Sequence, residues 1–356
     1  MASDHLGHHP THPESHYNAP VQLKASAPMR IDLAGATLDI WPLYLYHADA
    51  QTLNVALTLK ARCWLQTRDD RRLVLRSLDT NQRVEVAHRT ALPDDASWRL
   101  LKRIIEFFEG EGLNIVIQSD SPIGAGIAGS SALNVAVCAA FAKWQGRSLS
   151  ADTLLDIAMN IEAQVINVPT GAQDYRPAYY GGISAIEMGV GGITRIALDV
   201  EASALADRLI VAYSGVSRQS GINNWQVMKR RIDGEPSLID HFEQICLVAR
   251  TMRTALVAGD WREVGHQMNR EWELRKCLAP GVTTPAIDNL IKKARGVGAL
   301  GAKVCGAGGG GCIVSLAEPT DVVAVSSALS SCGATILPCD VDTNGLQITL
   351  GVAPPE

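Results

Sequence analysis

One stretch restricts the fold more than any other: Ser121 to Leu133, reading SPIGAGIAGSSAL. An alternating apolar run, LNIVIQS, leads into it and an alanine-rich stretch follows, so the chain passes from a strand through a glycine-rich turn into a helix. Gly124, Gly126 and Gly129 let backbone amides approach a ligand, and Ser130 and Ser131 open the helix. Such a helix N-terminus is an anion site, because its unpaired amides and its dipole both favour negative charge. The spacing also fits GxGxxG, so a dinucleotide-binding turn and a triphosphate cradle both stand, beside a turn used only for close packing. Three features weigh against the dinucleotide reading: Pro122 precedes the first glycine, the match lies mid-chain, and more helix follows where a strand ending in a ribose-binding acid belongs.

Two further stretches carry chemistry. In EAQVINVPTGAQD, Glu162 ends an amphipathic helix and Asp174 follows Pro169 and Gly171 in a loop. Two carboxylates beside a hydroxyl and a bound phosphate suit a Mg²⁺ site plus a base, although either acid alone also reads as a solvated surface residue. In KVCGAGGGGCIVSL, five of six consecutive positions from Gly306 are glycine, more than any packed element needs. A strand follows it, so no helix dipole is available there. It is either a tight turn against the ligand or the first glycine loop, or a plain hairpin turn.

At 356 residues the chain exceeds one ordinary core and predicts two domains. Residues 1–20 hold His5, His8, His9, His12 and His16 without apolar period, and read as a disordered leader. Period-two alternation from Val21 to about Ala87 predicts several antiparallel strands, and WRLLKRIIEFFE (98–109) a helix. A helix from Ala151, a loop VPTGAQDYRPAYYGG and a strand pair (GGISAIEM, GGITRIALDV) close the first unit, 21–200. The second, 201–356, is predicted to run from a strand (RLIVAYS) through long helices to a glycine loop between strands, one more helix and closing strands. The fold class is α+β.

A net charge of −5 provides no basic field for nucleic acid, and no apolar run reaches the roughly 20 residues of a membrane span. Eight scattered cysteines without a CxxC pair read as reduced thiols of a cytoplasmic protein. Gly-Lys, HRD, DFG, GxSxG and HExxH are all missing, which excludes Walker-type, protein-kinase, hydrolase and zincin chemistry of the usual kinds.

The stretches resemble, in order, the motifs of the GHMP kinase superfamily, named for galactokinase, homoserine kinase, mevalonate kinase and phosphomevalonate kinase. APMRIDLAGATLD places Pro28, Arg30, Gly35 and Asp39 at the spacing of the first motif; PIGAGIAGSSA is similar to the second and GAGGGGC to the third. Between them Glu162, Val168, Pro169, Gly171 and Asp174 follow the galactokinase pattern E-x5-V-P-x-G-x2-D. YSGVSRQS and NREWELRKCL, with GALGAKVCGAGGGG, are similar to bacterial heptose 7-phosphate kinases. The sequence departs from pattern at Ala36, where galactokinases carry Glu, and in GIAGSS, where the second motif reads GLGSSS or GLSSS.

The resemblance implies an N-terminal domain like ribosomal protein S5 domain 2, a ferredoxin-like C-terminal domain, and phosphorylation of a sugar or sugar-phosphate hydroxyl by ATP with Mg²⁺. It assigns Pro122, Gly124, Gly126, Ile127, Ala128, Gly129, Ser130 and Ser131, with Gly306, Gly308 and Gly309, to ATP. Either Ser130 or Ser131, together with Glu162, falls to the metal, Asp174 to the catalytic base, Arg30 to its electrostatic partner, and Asp39, Gly171 and Arg218 to the substrate. The alternatives are a kinase of a mevalonate- or homoserine-type alcohol and a non-catalytic sugar- or nucleotide-binding regulator. A homodimer is one assembly the chain allows. Trp41, Tyr44 and Tyr46 either stack on a sugar or fill core, core being the favoured reading.

Overall fold

Alternating apolar and polar residues make β1 (Gln22–Ala34) and β2 (Gln51–Thr67) two long strands that pair antiparallel. The computed structural model describes residues 21–217 and 224–355, so the His-rich leader and Arg218 lie outside the described residues. Next come β3 (Leu73–Ser77), β4 (Gln82–Val86), α1 (Arg99–Phe107) and β5 (Leu113–Ser119), the last leading into the glycine turn. Within Val21–Ala87 the expected antiparallel pairing holds for β1–β2 and β3–β4, while β3 also pairs in parallel with the later β5, which the intervening α1 crossover permits.

The helix after the turn, α2 (Gly129–Trp144), is alanine-rich and apolar nearly all round; it packs on β1 and β2 and against α3 (Ala151–Ile166) and α4 (Tyr175–Tyr180). Ser150 caps α3 by accepting the Thr153 amide at 3.2 Å. α4 occupies part of the stretch expected as loop. Its proline, Pro177, sits in the first turn, where no amide hydrogen bond is lost. The expected strand pair is β6 (Ile183–Gly189) and β7 (Gly192–Ala197), β6 joining β2.

Then follow α5 (Ala202–Ala206), β8 (Leu209–Tyr213), α6 (Asn224–Ile232), α7 (Pro236–Ala258), α8 (Trp261–Lys276), α9 (Pro285–Gly296), β9 (Ala299–Val304), β10 (Cys312–Ala317), α10 (Val322–Ser331), β11 (Thr335–Ile336) and β12 (Gln347–Leu350). Among the described residues the sheets are two. The eight-stranded one runs β12-β1-β2-β5-β3-β4 with β6 and β7 branching from β2, and the four-stranded one runs β11-β8-β10-β9. The last strand returns to the first sheet, Leu23 facing Leu350. Helix α8 packs on α7 and β9 and also touches β1, so it spans the two sheets.

Candidate active site

A cleft of about 300 Å³ lies where the glycine turn, the β1–β2 connection, the loop before α4 and the β9–β10 turn meet. The chain enters α2 through Ala128 in the left-handed region (φ 59°), with no side-chain cap, so the first amides of the helix stay open toward the cleft. Pro122, Gly124, Gly126, Ala128, Gly129 and Ser130 line it, as expected of a phosphate cradle. Ile127 does not: its side chain is buried in the core, while its carbonyl accepts the Arg30 amide at 3.1 Å.

The second glycine loop seats directly on the first. The Cys312 amide donates to the Ala125 carbonyl at 2.6 Å, and a Cβ on Gly311 (φ +80°) would stand 2.7 Å from that oxygen. Gly306 lines the cleft, but Gly308 and Gly309 turn away toward Val282, whose carbonyl accepts the Gly309 amide at 2.8 Å. The stretch is therefore both a hairpin turn and a packing surface for the first glycine loop.

Opposite the cradle stand Asp174 and Arg30. Arg30 Nε donates to Asp174 Oδ1 at 3.0 Å, Nη2 makes a second, shorter contact with the same oxygen, and Nη1 donates to the Gly126 carbonyl at 3.2 Å. Arg30 is buried, whereas the Asp174 side chain keeps 22% exposure toward the cleft. Burial opposes the guanidinium charge, yet Asp174 and Asp32 more than compensate and raise its pKa. The pair thus ties the first motif to the loop before α4 across 144 residues of chain.

Asp39 is buried beside them. Its Oδ2 accepts the Gln173 amide at 3.1 Å, and burial, with the Asp174 charge adding to it, pushes its carboxyl up to about 7. Gly171 is where it is because of Asp39: a Cβ there would lie 2.0 Å from Asp39 Oδ2. Ile40 and Gly171 form an isolated bridge that fixes this approach.

Glu162 and Ser130 meet across α2 and α3, Ser130 Oγ donating to Glu162 Oε1 at 2.7 Å; Tyr175 OH donates to Oε2 at 2.8 Å. Burial raises the Glu162 carboxyl despite these donors. A carboxylate, a hydroxyl and an adjacent phosphate site match the oxygen ligands Mg²⁺ takes when phosphates and waters complete its shell. A cation there would also relieve the buried charge. Ser131 is buried and does not line the cleft, so Ser130 is the serine presented to it.

Sequence reasoning did not single out Tyr175, which orients Glu162, or Gln173, which holds Asp39; both flank Asp174 in the motif that was read. Of the three aromatics near the first motif, Tyr44 is core, but Trp41 and Tyr46 are 64% and 46% exposed, against the core reading.

The model described as the GHMP kinases N terminal domain matches residues 96–182, and that described as GHMP kinases C terminal matches 252–335. A D-glycero-alpha-D-manno-heptose 7-phosphate kinase of Campylobacter jejuni is 28% identical over 309 residues, 84% of this chain and 90% of the relative. Among solved structures, a D-glycero-D-manno-heptose 1-phosphate kinase from Bacteroides thetaiotaomicron superposes with TM-score 0.74 at 22% identity, covering 92% of this chain and 98% of the other. Lactococcus lactis galactokinase complexed with galactose gives 0.74 at 18% identity, covering 92% and 95%. With both the N-terminal and the C-terminal GHMP kinase models matched within it, at residues 96–182 and 252–335, and the fold shared over 92% of its length, the chain belongs to the GHMP kinase family.

Proposed function

We propose that this protein is an ATP-dependent kinase that phosphorylates a hydroxyl of a sugar or sugar phosphate. The observation that carries the reading is the juxtaposition, in one cleft, of an open helix N-terminus framed by glycines with the Arg30–Asp174 pair. Asp174 accepts the proton of the acceptor hydroxyl as that oxygen attacks the γ-phosphorus and the bond to the β–γ bridging oxygen breaks, releasing ADP. Arg30 orients this carboxylate and adds a fixed positive charge where the transferring group becomes more negative, and the amides of the α2 N-terminus face the same charge from the cradle. Ser130 and Glu162 would hold a Mg²⁺ ion, which would supply further charge neutralisation on the phosphates. Asp39, kept in place by Gln173, meets hydroxyls of the acceptor.

A sugar phosphate is favoured as acceptor by the similarity to the heptose 7-phosphate kinase, which extends over most of both chains. All eight cysteines are free thiols, which suits a reducing cytoplasmic location. Among the described residues no helix is long and apolar enough to cross a membrane.

The deciding experiment is ADP release with Mg-ATP across heptose 7-phosphate, free hexoses, hexose phosphates, uronic acids, mevalonate and homoserine. Turnover with a sugar or sugar phosphate is expected. Turnover confined to mevalonate or homoserine overturns the sugar assignment, and ATP binding without turnover on any acceptor overturns the enzymatic one.

A further inference from the structure

Four charged side chains that the proposed reaction does not use lie behind the cleft, buried at the junction of the two sheets. Asp32 comes from β1, Glu271 and Arg275 from α8, and Lys303 from β9; none exceeds 2% exposure. Lys303 Nζ donates to Asp32 Oδ2 at 2.6 Å, to Glu271 Oε2 at 2.5 Å and to the Leu33 carbonyl at 3.4 Å. Arg275 Nη1 approaches Asp32 Oδ2 at 3.5 Å. Burial alone would raise the Asp32 carboxyl, but Lys303, Arg30 and Arg275 together hold it below its ordinary value.

The cluster reaches the cleft at three places. Asp32 Oδ1 accepts the Gly306 amide at 2.8 Å while Arg275 Nη2 donates to the Gly306 carbonyl, so one glycine of the β9–β10 turn is gripped by both of its backbone groups. Glu271 Oε1 accepts the Ala36 amide at 3.3 Å, on the turn that carries Asp39. Arg30 Nη1 stands 3.6 Å from Asp32 Oδ1. Gly306, Ala36 and Arg30 all line the cleft.

Buried ion pairs are a poor route to stability, since apolar side chains of similar volume do as well or better at such positions. What apolar side chains do not provide is directional hydrogen bonds to a turn amide and a turn carbonyl. Counting Arg30, the cluster holds three positive and two negative groups, and Asp174 beyond Arg30 balances the excess.

We infer that Asp32, Glu271, Arg275 and Lys303 are positioning residues, which fix the Gly306 turn, the Ala36 turn and Arg30 relative to one another so that nucleotide and acceptor meet in register. The inference rests on the kinase reading for its catalytic consequence, but the positioning has its own readout.

The test is the full chain carrying Glu271→Leu with Lys303→Met, a swap that keeps charge balance and volume, alongside Arg275→Lys, which keeps charge but loses the forked donor. The melting temperature of each, kcat, the KM values for ATP and acceptor, and hydrogen exchange at residues 34–39 and 304–311 are measured. The expected result is a melting temperature near that of the parent, faster exchange confined to those two segments, and kcat lower by about 100-fold in the double variant with KM for ATP changed by less than about threefold. Arg275→Lys is expected to shift exchange at 304–311 alone and to lower kcat by about 10-fold. If the double variant melts much lower, Arg275→Lys decides. Parental exchange and kcat in variants that fold normally overturn the inference. Should the parent phosphorylate no acceptor, the kinase reading fails, and exchange at the two turns still decides whether the cluster positions them.

Discussion

Asp39→Asn tests the electrostatics of the site without any substrate. Asp39 is 2% exposed and its carboxyl rises from 3.8 to about 7, with burial the larger cause and Asp174 the next. A carboxyl whose pKa is raised by folding favours the folded state while it is protonated. That contribution is whole below about 3.8, falls as pH rises, and is gone above about 7. Between about pH 5 and about pH 8 the linkage amounts to about 3 kcal/mol of lost stability. Asn cannot ionise, yet its oxygen still accepts the Gln173 amide, so the variant keeps the contact and loses the pH dependence. Urea unfolding of parent and variant, followed by tryptophan fluorescence across this range, gives a difference in which the other titrating groups cancel. The stability of Asp39→Asn relative to the parent is expected to climb by about 3 kcal/mol from the acid to the alkaline end. Parallel stability curves would show that Asp39 is ionised in the folded protein at all these pH values and refute the burial reasoning.

Asp174→Asn is expected to retain ATP binding by calorimetry while turnover falls about 100-fold or more, the proton acceptor being gone. Arg30→Met should lower turnover comparably, because it removes the cation that holds Asp174 through Nε and Nη2 in the cleft. Glu162→Gln should raise the Mg²⁺ concentration needed for half-maximal rate by about 10-fold or more, with little change in melting temperature; an unchanged Mg²⁺ titration would remove this residue from the metal site. Gly311→Ala puts a Cβ 2.7 Å from the Ala125 carbonyl at φ +80° and should cost about 1–3 kcal/mol in chemical denaturation, since both glycine loops must separate to admit it.

Much of the fold was readable because its elements carry regular periods bounded by glycine, proline and capping residues. The strands β1 to β5, the helices α2, α3, α8 and α9, and the β9–β10 hairpin fall where alternation and helical spacing put them. The short helices α4 and α6 were not readable, since six to nine residues with an internal proline or several basic groups give too few apolar repeats. The β3–β5 pairing lay beyond reach for another reason: period two reports which face a strand buries, not the direction of its neighbour. At the candidate site, residue types singled out Glu162 and Asp174, the family resemblance added Arg30 and Asp39, and all four line one cleft. Their meeting, across up to 144 residues of chain, is a property of the packed α2 core.

The buried cluster shows where a pattern was present and its meaning was not. On α8, Val264, Met268, Glu271 and Arg275 recur at the spacing of one helical face, and all four are buried. Read as a stripe, this face carries two apolar residues and then two charged ones, which conflicts with burial unless opposite charges wait on the elements it covers. Those charges come from Asp32 on β1 and Lys303 on β9, far apart in sequence and flanked by apolar neighbours. Each charge alone looks like a surface residue or a break in a strand. Together they form a junction in which β1, α8 and β9 cannot slide past one another without exposing an unpaired buried ion. A kinase cleft assembled from both sheets needs that constraint, because Arg30, Ala36 and Gly306 must hold a common geometry while the ligands between them change.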